Sequence, residues 1–123
     1  MKKRLKLGII GGGPGSWIGH VHRIASRFDD EFEIVAGVFS RNLKINQKFA
    51  SKLGINKDRC YKNFKELCLK EIKRKDSIDV VSVMTPPGSH QEISALFIKN
   101  KIHVISDKPF AGNLFQAKKL YKT

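Results

Sequence analysis

The sequence predicts an α/β fold: a doubly wound parallel sheet in a single domain over residues 1–123. Three observations carry that prediction. Short apolar runs recur along the chain, as central parallel strands buried on both faces require. Amphipathic segments of about ten residues separate them, so the strands are joined by helical crossovers. The first apolar run passes directly into a glycine cluster and then into helix-like sequence.

The elements follow in order. Lys6 to Ile10 reads as the first strand and Gly11 to Trp17 as a turn. Ile18 to Phe28 reads as a helix, with Ile18, Val21, Ile24, Ala25 and Phe28 on one apolar face. Asp29 and Asp30 end it. Phe32 to Phe39 is the second strand. Ser40 is the expected N-cap of a helix running to Leu53, striped by Ile45, Phe49 and Leu53 and stopped by Gly54. A short strand is expected near Cys60 and Tyr61. Asn63 caps a helix carrying Phe64, Leu67, Cys68 and Ile72. Val80 to Met84 is the next strand, broken by Thr85-Pro86-Pro87-Gly88. A helix from Ser89 to Lys99, a strand from Ile102 to Ser106 and a helix from Leu114 to Tyr121 complete the alternation.

Composition narrows the classes. A hydrophobic fraction of 41% suits a globular chain rather than a disordered one. No apolar run approaches the roughly 20 residues of a membrane span. The basic start, Lys2-Lys3-Arg4, is followed by an apolar run that stops at Gly11, too short for a signal peptide. Cys60 and Cys68 match no metal or redox spacing and read as free thiols of a cytoplasmic protein. Lys and Arg number 24 against 11 Asp and Glu, a net charge of +13. Basic residues concentrate between Arg41 and Lys75, where they are spread along the expected helices without interleaved aromatic stacking positions. The excess therefore reads as a solvated face, and a nucleic-acid partner is not expected. An anionic cofactor would still gain from the positive field.

In open parallel sheets, ligands bind beyond the carboxyl ends of the strands, where strand order reverses. The residues after each strand therefore carry the chemistry. After the first come Gly11, Gly12 and Gly13. Strand, glycine turn and helix, in that order, suit a dinucleotide: the backbone approaches the pyrophosphate, and the helix N-terminus faces it. A plain strand-to-helix turn is the alternative. After the second strand come Ser40 and Arg41. A carboxylate here would accept a ribose 2′-OH and repel a 2′-phosphate. A hydroxyl followed by a guanidinium suits the 2′-phosphate, so NADP is favoured over NAD. The plainer alternative is a cap followed by a solvated arginine. After Met84 come Thr85 and Pro86, placed to line a cofactor, and His90 at the next helix start, where a structural role is the alternative. After Ser106 comes Asp107-Lys108-Pro109. A lysine held by a proline beside a carboxylate can orient a hydroxyl or polarise a carbonyl; a surface lysine is the alternative. No Gly-Lys-Ser/Thr follows the glycines, which excludes a Walker A loop.

Taken together, Gly11-x-Gly13, Ile18-Gly19-x-x-His22, Thr85-Pro86-x-x-x-His90 and His103-Val104-x-x-Asp107-Lys108-Pro109 resemble the N-terminal half of the Gfo/Idh/MocA oxidoreductases. The resemblance covers nearly the whole chain. It implies a Rossmann domain binding NAD or NADP, followed by a larger α/β domain that holds a sugar or polyol and supports homo-oligomerisation. It carries glycine roles to Gly11, Gly13 and Gly19, cofactor-cleft roles to Thr85 and Pro86, and a place near nicotinamide and substrate to Lys108. The glycine loop is longer than usual, so Ser16 competes with Gly19 for the third fingerprint position. Asp107 replaces the commoner glutamate. No metal is expected. The family's substrate domain and sixth strand have no counterpart, so a truncated chain is expected. Alone, it should be aggregation-prone and bind cofactor without turnover. The competing class is a standalone nucleotide-binding or interaction module.

Overall fold

The computed structural model describes residues 2–123. Four parallel strands form one sheet: β1 (Leu5–Gly11), β2 (Phe32–Val38), β3 (Val80–Met84) and β4 (His103–Ser106), in the order β2-β1-β3-β4. The helices are α1 (Trp17–Arg27), α2 (Leu43–Lys52), α3 (Phe64–Glu71), α4 (His90–Lys99) and α5 (Leu114–Tyr121).

Side-chain alternation along the strands divides the core. Leu7, Ile9, Val80 and Met84 face one side and pack with Phe39, Ala50 and Ile55, under α1 and α2. Ile10, Val81 and Val83 face the other and pack with Leu67, Ile93 and Phe97, from α3 and α4. Both faces of the sheet are thus covered, and every residue of β3 is buried. This is the doubly wound arrangement expected, and its strand order reverses between β1 and β3.

Four details differ from the expectations. The short strand at Cys60 and Tyr61 is a single parallel bridge, Cys60 to Gly37, with Tyr61 N–H donating to the Gly37 carbonyl at 3.0 Å. A 3₁₀ turn over Lys57–Arg59 and the Asn63 cap leave too little extended chain for more. The cap of α2 is Asn42, whose Oδ1 accepts the Ile45 N–H at 3.1 Å. Ser40, two residues before the cap, instead accepts the Asn42 N–H at 3.1 Å. The expected buried stripe of α1 is largely exposed: Val21, Ile24 and Phe28 are 37%, 43% and 69% accessible. The helix instead turns Ile18, Gly19, His22 and Ser26 inward, as backbone closeness at Gly19 and a polar contact at His22 demand. Finally, α2 buries Asn46, not Ile45. Its amide accepts from Phe39 N–H at 2.7 Å and donates to the Tyr61 carbonyl at 2.8 Å, tying β2 to the bridge segment.

A buried ionic cluster anchors that segment. Glu71, fully buried, accepts two bonds from Arg59 (Nη2 at 2.6 Å, Nε at 3.1 Å), one from Tyr61 Oη at 2.6 Å and one from the Ile78 N–H at 3.1 Å. Burial, and then this hydrogen bond, push the Tyr61 hydroxyl above the usual tyrosine range, so it stays a donor. No helix among the described residues is long and apolar enough to cross a membrane.

Candidate cofactor site

The loop after β1 is shaped by backbone contacts that only glycine permits. Gly11 and Gly12 adopt φ of +87° and +64°. A Cβ on Gly13 would lie 2.2 Å from the Phe39 carbonyl oxygen, and one on Gly19 would lie 2.2 Å from the Gly12 oxygen. Gly19 therefore lets α1 close onto the loop. Ser16 is the α1 N-cap, accepting the Gly19 N–H at 3.0 Å. The two competing residues have separate jobs: helix packing for Gly19, capping for Ser16.

Gly19→Ala is expected to cost about 2 kcal/mol, the overpacking penalty less the gain in helix propensity. That corresponds to a melting midpoint lower by roughly 10 °C. Gly88, where an added Cβ meets nothing within 4 Å, is the control. Equal melting of Gly19→Ala and Gly88→Ala would contradict the close approach.

Behind the loop, Arg23 donates to the Gly12 carbonyl at 2.6 Å and stacks its guanidinium over the Phe49 ring at 4.9 Å. Burial, and to a lesser extent Arg27, lowers its pKa from the usual arginine value.

A cleft of about 460 Å³ opens beyond the C-terminal ends of β1, β2 and β3. This lies within the roughly 300–1,000 Å³ of ligand pockets. It brings together Gly11, Ser40, Arg41, Thr85 and Pro86 of the sequence-derived residues, and adds Gly12 and Lys62. No carboxylate lines it. Gly13 and Gly19 shape the loop from behind and are not on the lining.

His90 requires a correction. It is 1% exposed, with Nδ1 2.8 Å from the Pro109 carbonyl and Nε2 2.6 Å from the Thr85 carbonyl. Both ring nitrogens are occupied by backbone, so it clamps the loops after β3 and β4 together rather than facing a ligand. Asp107 and Lys108 stand at the neighbouring strand end. The Asp107 N–H extends the ladder to the Val83 carbonyl at 2.9 Å, and Lys108 is exposed and joined to Pro109 by a cis peptide.

Gly12 was legible in the unbroken run Gly11-Gly12-Gly13. Lys62, Arg23 and Asn46 carried no such signal, because each is an ordinary polar residue until the fold brings Lys62 to the cleft, Arg23 to the Gly12 carbonyl and Asn46 to Phe39 and Tyr61.

The family model for the Gfo/Idh/MocA oxidoreductases, described as an oxidoreductase family with an NAD-binding Rossmann fold, matches residues 5–123. The chain belongs to the Gfo/Idh/MocA family. It is 38% identical over 110 residues to the uncharacterized oxidoreductase YfiI of Bacillus subtilis, covering 89% of this chain and 28% of YfiI. It is 34% identical, with a TM-score of 0.94, to an inositol dehydrogenase homologue from Azotobacter vinelandii solved with NAD+. That match covers 99% of this chain and 31% of the homologue. It is 31% identical over 84 residues to the scyllo-inositol 2-dehydrogenase (NADP(+)) IolU of Bacillus subtilis, covering 68% of this chain and 23% of IolU. The chain thus spans about a third or less of the length of these Gfo/Idh/MocA relatives.

Proposed function

We propose that residues 1–123 form the nicotinamide-dinucleotide-binding domain of an oxidoreductase that transfers hydride to or from a sugar, polyol or related hydroxyl substrate. The observation that carries this reading is the single cleft joining the glycine loop to Ser40, Arg41 and Thr85 at the strand-order reversal. Gly11 and Gly12 provide close backbone approach for the pyrophosphate, and the capped N-terminus of α1 provides the dipole. Arg41 and Lys62 supply positive charge at the end of the cleft assigned to the adenosine ribose. Bound nicotinamide would supply the hydride acceptor or donor. Lys108 would orient the substrate hydroxyl or polarise its carbonyl. The polyol class is supported by the inositol dehydrogenase relatives, one of them solved with NADH and myo-inositol. The reading includes a cytoplasmic location, supported by two free cysteines, and turnover that requires a substrate-holding part outside residues 1–123.

NADP is the favoured cofactor, because Arg41 stands where a carboxylate would otherwise select the free 2′-OH. A charged arginine–phosphate bond contributes about 1.5–3 kcal/mol, so NADPH should bind roughly tenfold or more tighter than NADH. Fluorescence titration of the folded chain with both reduced cofactors decides this. Equal or tighter NADH binding would end the NADP preference; no binding of either by a chain folded by circular dichroism would remove the site.

A further inference from the structure

Arg23 is a half-buried guanidinium that forms no ion pair among the described residues. Its partners are the Phe49 ring, 4.9 Å away, and the Gly12 carbonyl, 2.6 Å from Nη1. Phe49 is itself packed edge-on against Phe39 at 5.1 Å, so the guanidinium rests on a fixed surface. A cation taken partly out of water without a counter-charge costs stability, and this one is held directly behind the glycine loop.

The Gly12 carbonyl faces α1, because a Cβ on Gly19 would lie 2.2 Å from its oxygen. The Gly12–Gly13 peptide is trans, so its C=O and N–H point in opposite directions. The Gly13 N–H is therefore turned away from α1 and Arg23, and no described group accepts it. A backbone N–H without a protein partner is completed by water or by a ligand. Gly12, on the same peptide, lines the cleft. A cation bonded to a carbonyl polarises the whole amide, which makes the N–H on the far side a stronger donor.

We infer that Arg23 is a positioning residue of the diphosphate site, which fixes the Gly12–Gly13 peptide so that the Gly13 N–H is presented to a diphosphate oxygen. The ligand part rests on the dinucleotide reading; the fixing of the peptide does not.

The test compares Arg23→Met and Arg23→Lys with the parent chain, each shown to be folded by circular dichroism. Methionine keeps an unbranched chain against Phe49 but donates nothing. Lysine keeps the charge and a donor. ADP, which carries the diphosphate, should bind Arg23→Met about tenfold more weakly than the parent, the scale of one charged hydrogen bond. For Arg23→Lys the loss should stay within about threefold. Adenosine, which has no phosphate, should bind all three chains within about twofold. A parallel loss of ADP and adenosine would reduce Arg23 to general packing, and unchanged ADP binding by Arg23→Met would leave it no part in the site; either result overturns the inference. A second measurement needs no nucleotide. The carbonyl carbon resonance of Gly12 should move in Arg23→Met and stay near the parent position in Arg23→Lys. A Gly12 resonance unmoved by Arg23→Met overturns the fixing of the peptide, whatever the nucleotide does. A parent chain that shows the shift but binds neither ADP nor NADH ends the dinucleotide reading, and the diphosphate role of Arg23 with it.

Discussion

Arg59→Ala is expected to destabilise the domain by about 3–5 kcal/mol, the cost of leaving a buried charge without its partner. Glu71 is completely enclosed, and Arg59 supplies two of its four hydrogen bonds. The remaining donors, Tyr61 Oη and the Ile78 N–H, carry no positive charge. A domain of this size has only about 5–15 kcal/mol of stability to lose. The consequence reaches the cleft, because Arg59 and Tyr61 hold the segment that leads to Lys62. Nucleotide affinity should therefore fall with stability. Urea denaturation measures the first effect, and titration at a temperature where the variant is still folded measures the second. The triple variant Arg59→Met, Tyr61→Phe, Glu71→Leu should be less damaged than Arg59→Ala alone, since it leaves no buried charge. A loss below about 1 kcal/mol for Arg59→Ala would place Glu71 in a wetter setting than its burial indicates.

Lys108→Ala should lower turnover by about 10²–10⁴-fold, the range of a positioned acid–base group, with much smaller effect on nucleotide affinity. The measurement requires a protein that turns over. Joining residues 1–123 to the remaining part of the Azotobacter vinelandii inositol dehydrogenase homologue gives one to assay with myo-inositol. The close match in fold, TM-score 0.94 over 99% of this chain, makes that junction reasonable. Lys108 is exposed at the end of β4, one residue beyond the last ladder bond, where a second domain can complete a cleft. Near-normal turnover of the Lys108→Ala chimera would reduce this lysine to a surface charge.

Residue type and spacing alone determined the fold class. Uniformly apolar runs such as Val80–Met84 need cover on both faces, and helical segments between them allow only parallel crossovers. The same local logic located the glycine turn and the Asn63 cap, because dihedral preference and capping act over a few residues. It placed Ser40, Arg41, Thr85 and Pro86 at strand ends, and the fold gathers these four around one cleft.

Long-range geometry decided the rest. The inward face of α1 could not be read from apolar spacing, because the contact is made by the backbone of Gly19 and by His22 on Ser82, 60 residues away. His90 looked available at a helix start until the loop after β4 brought the Pro109 carbonyl against it. Glu71 and Arg59 read as two more charges on a basic chain; only packing shows them as a desolvated pair. Sequence patterns record what each residue prefers within its own element. Which polar atoms meet across elements depends on where the crossovers return the chain, and only the tertiary structure determines that.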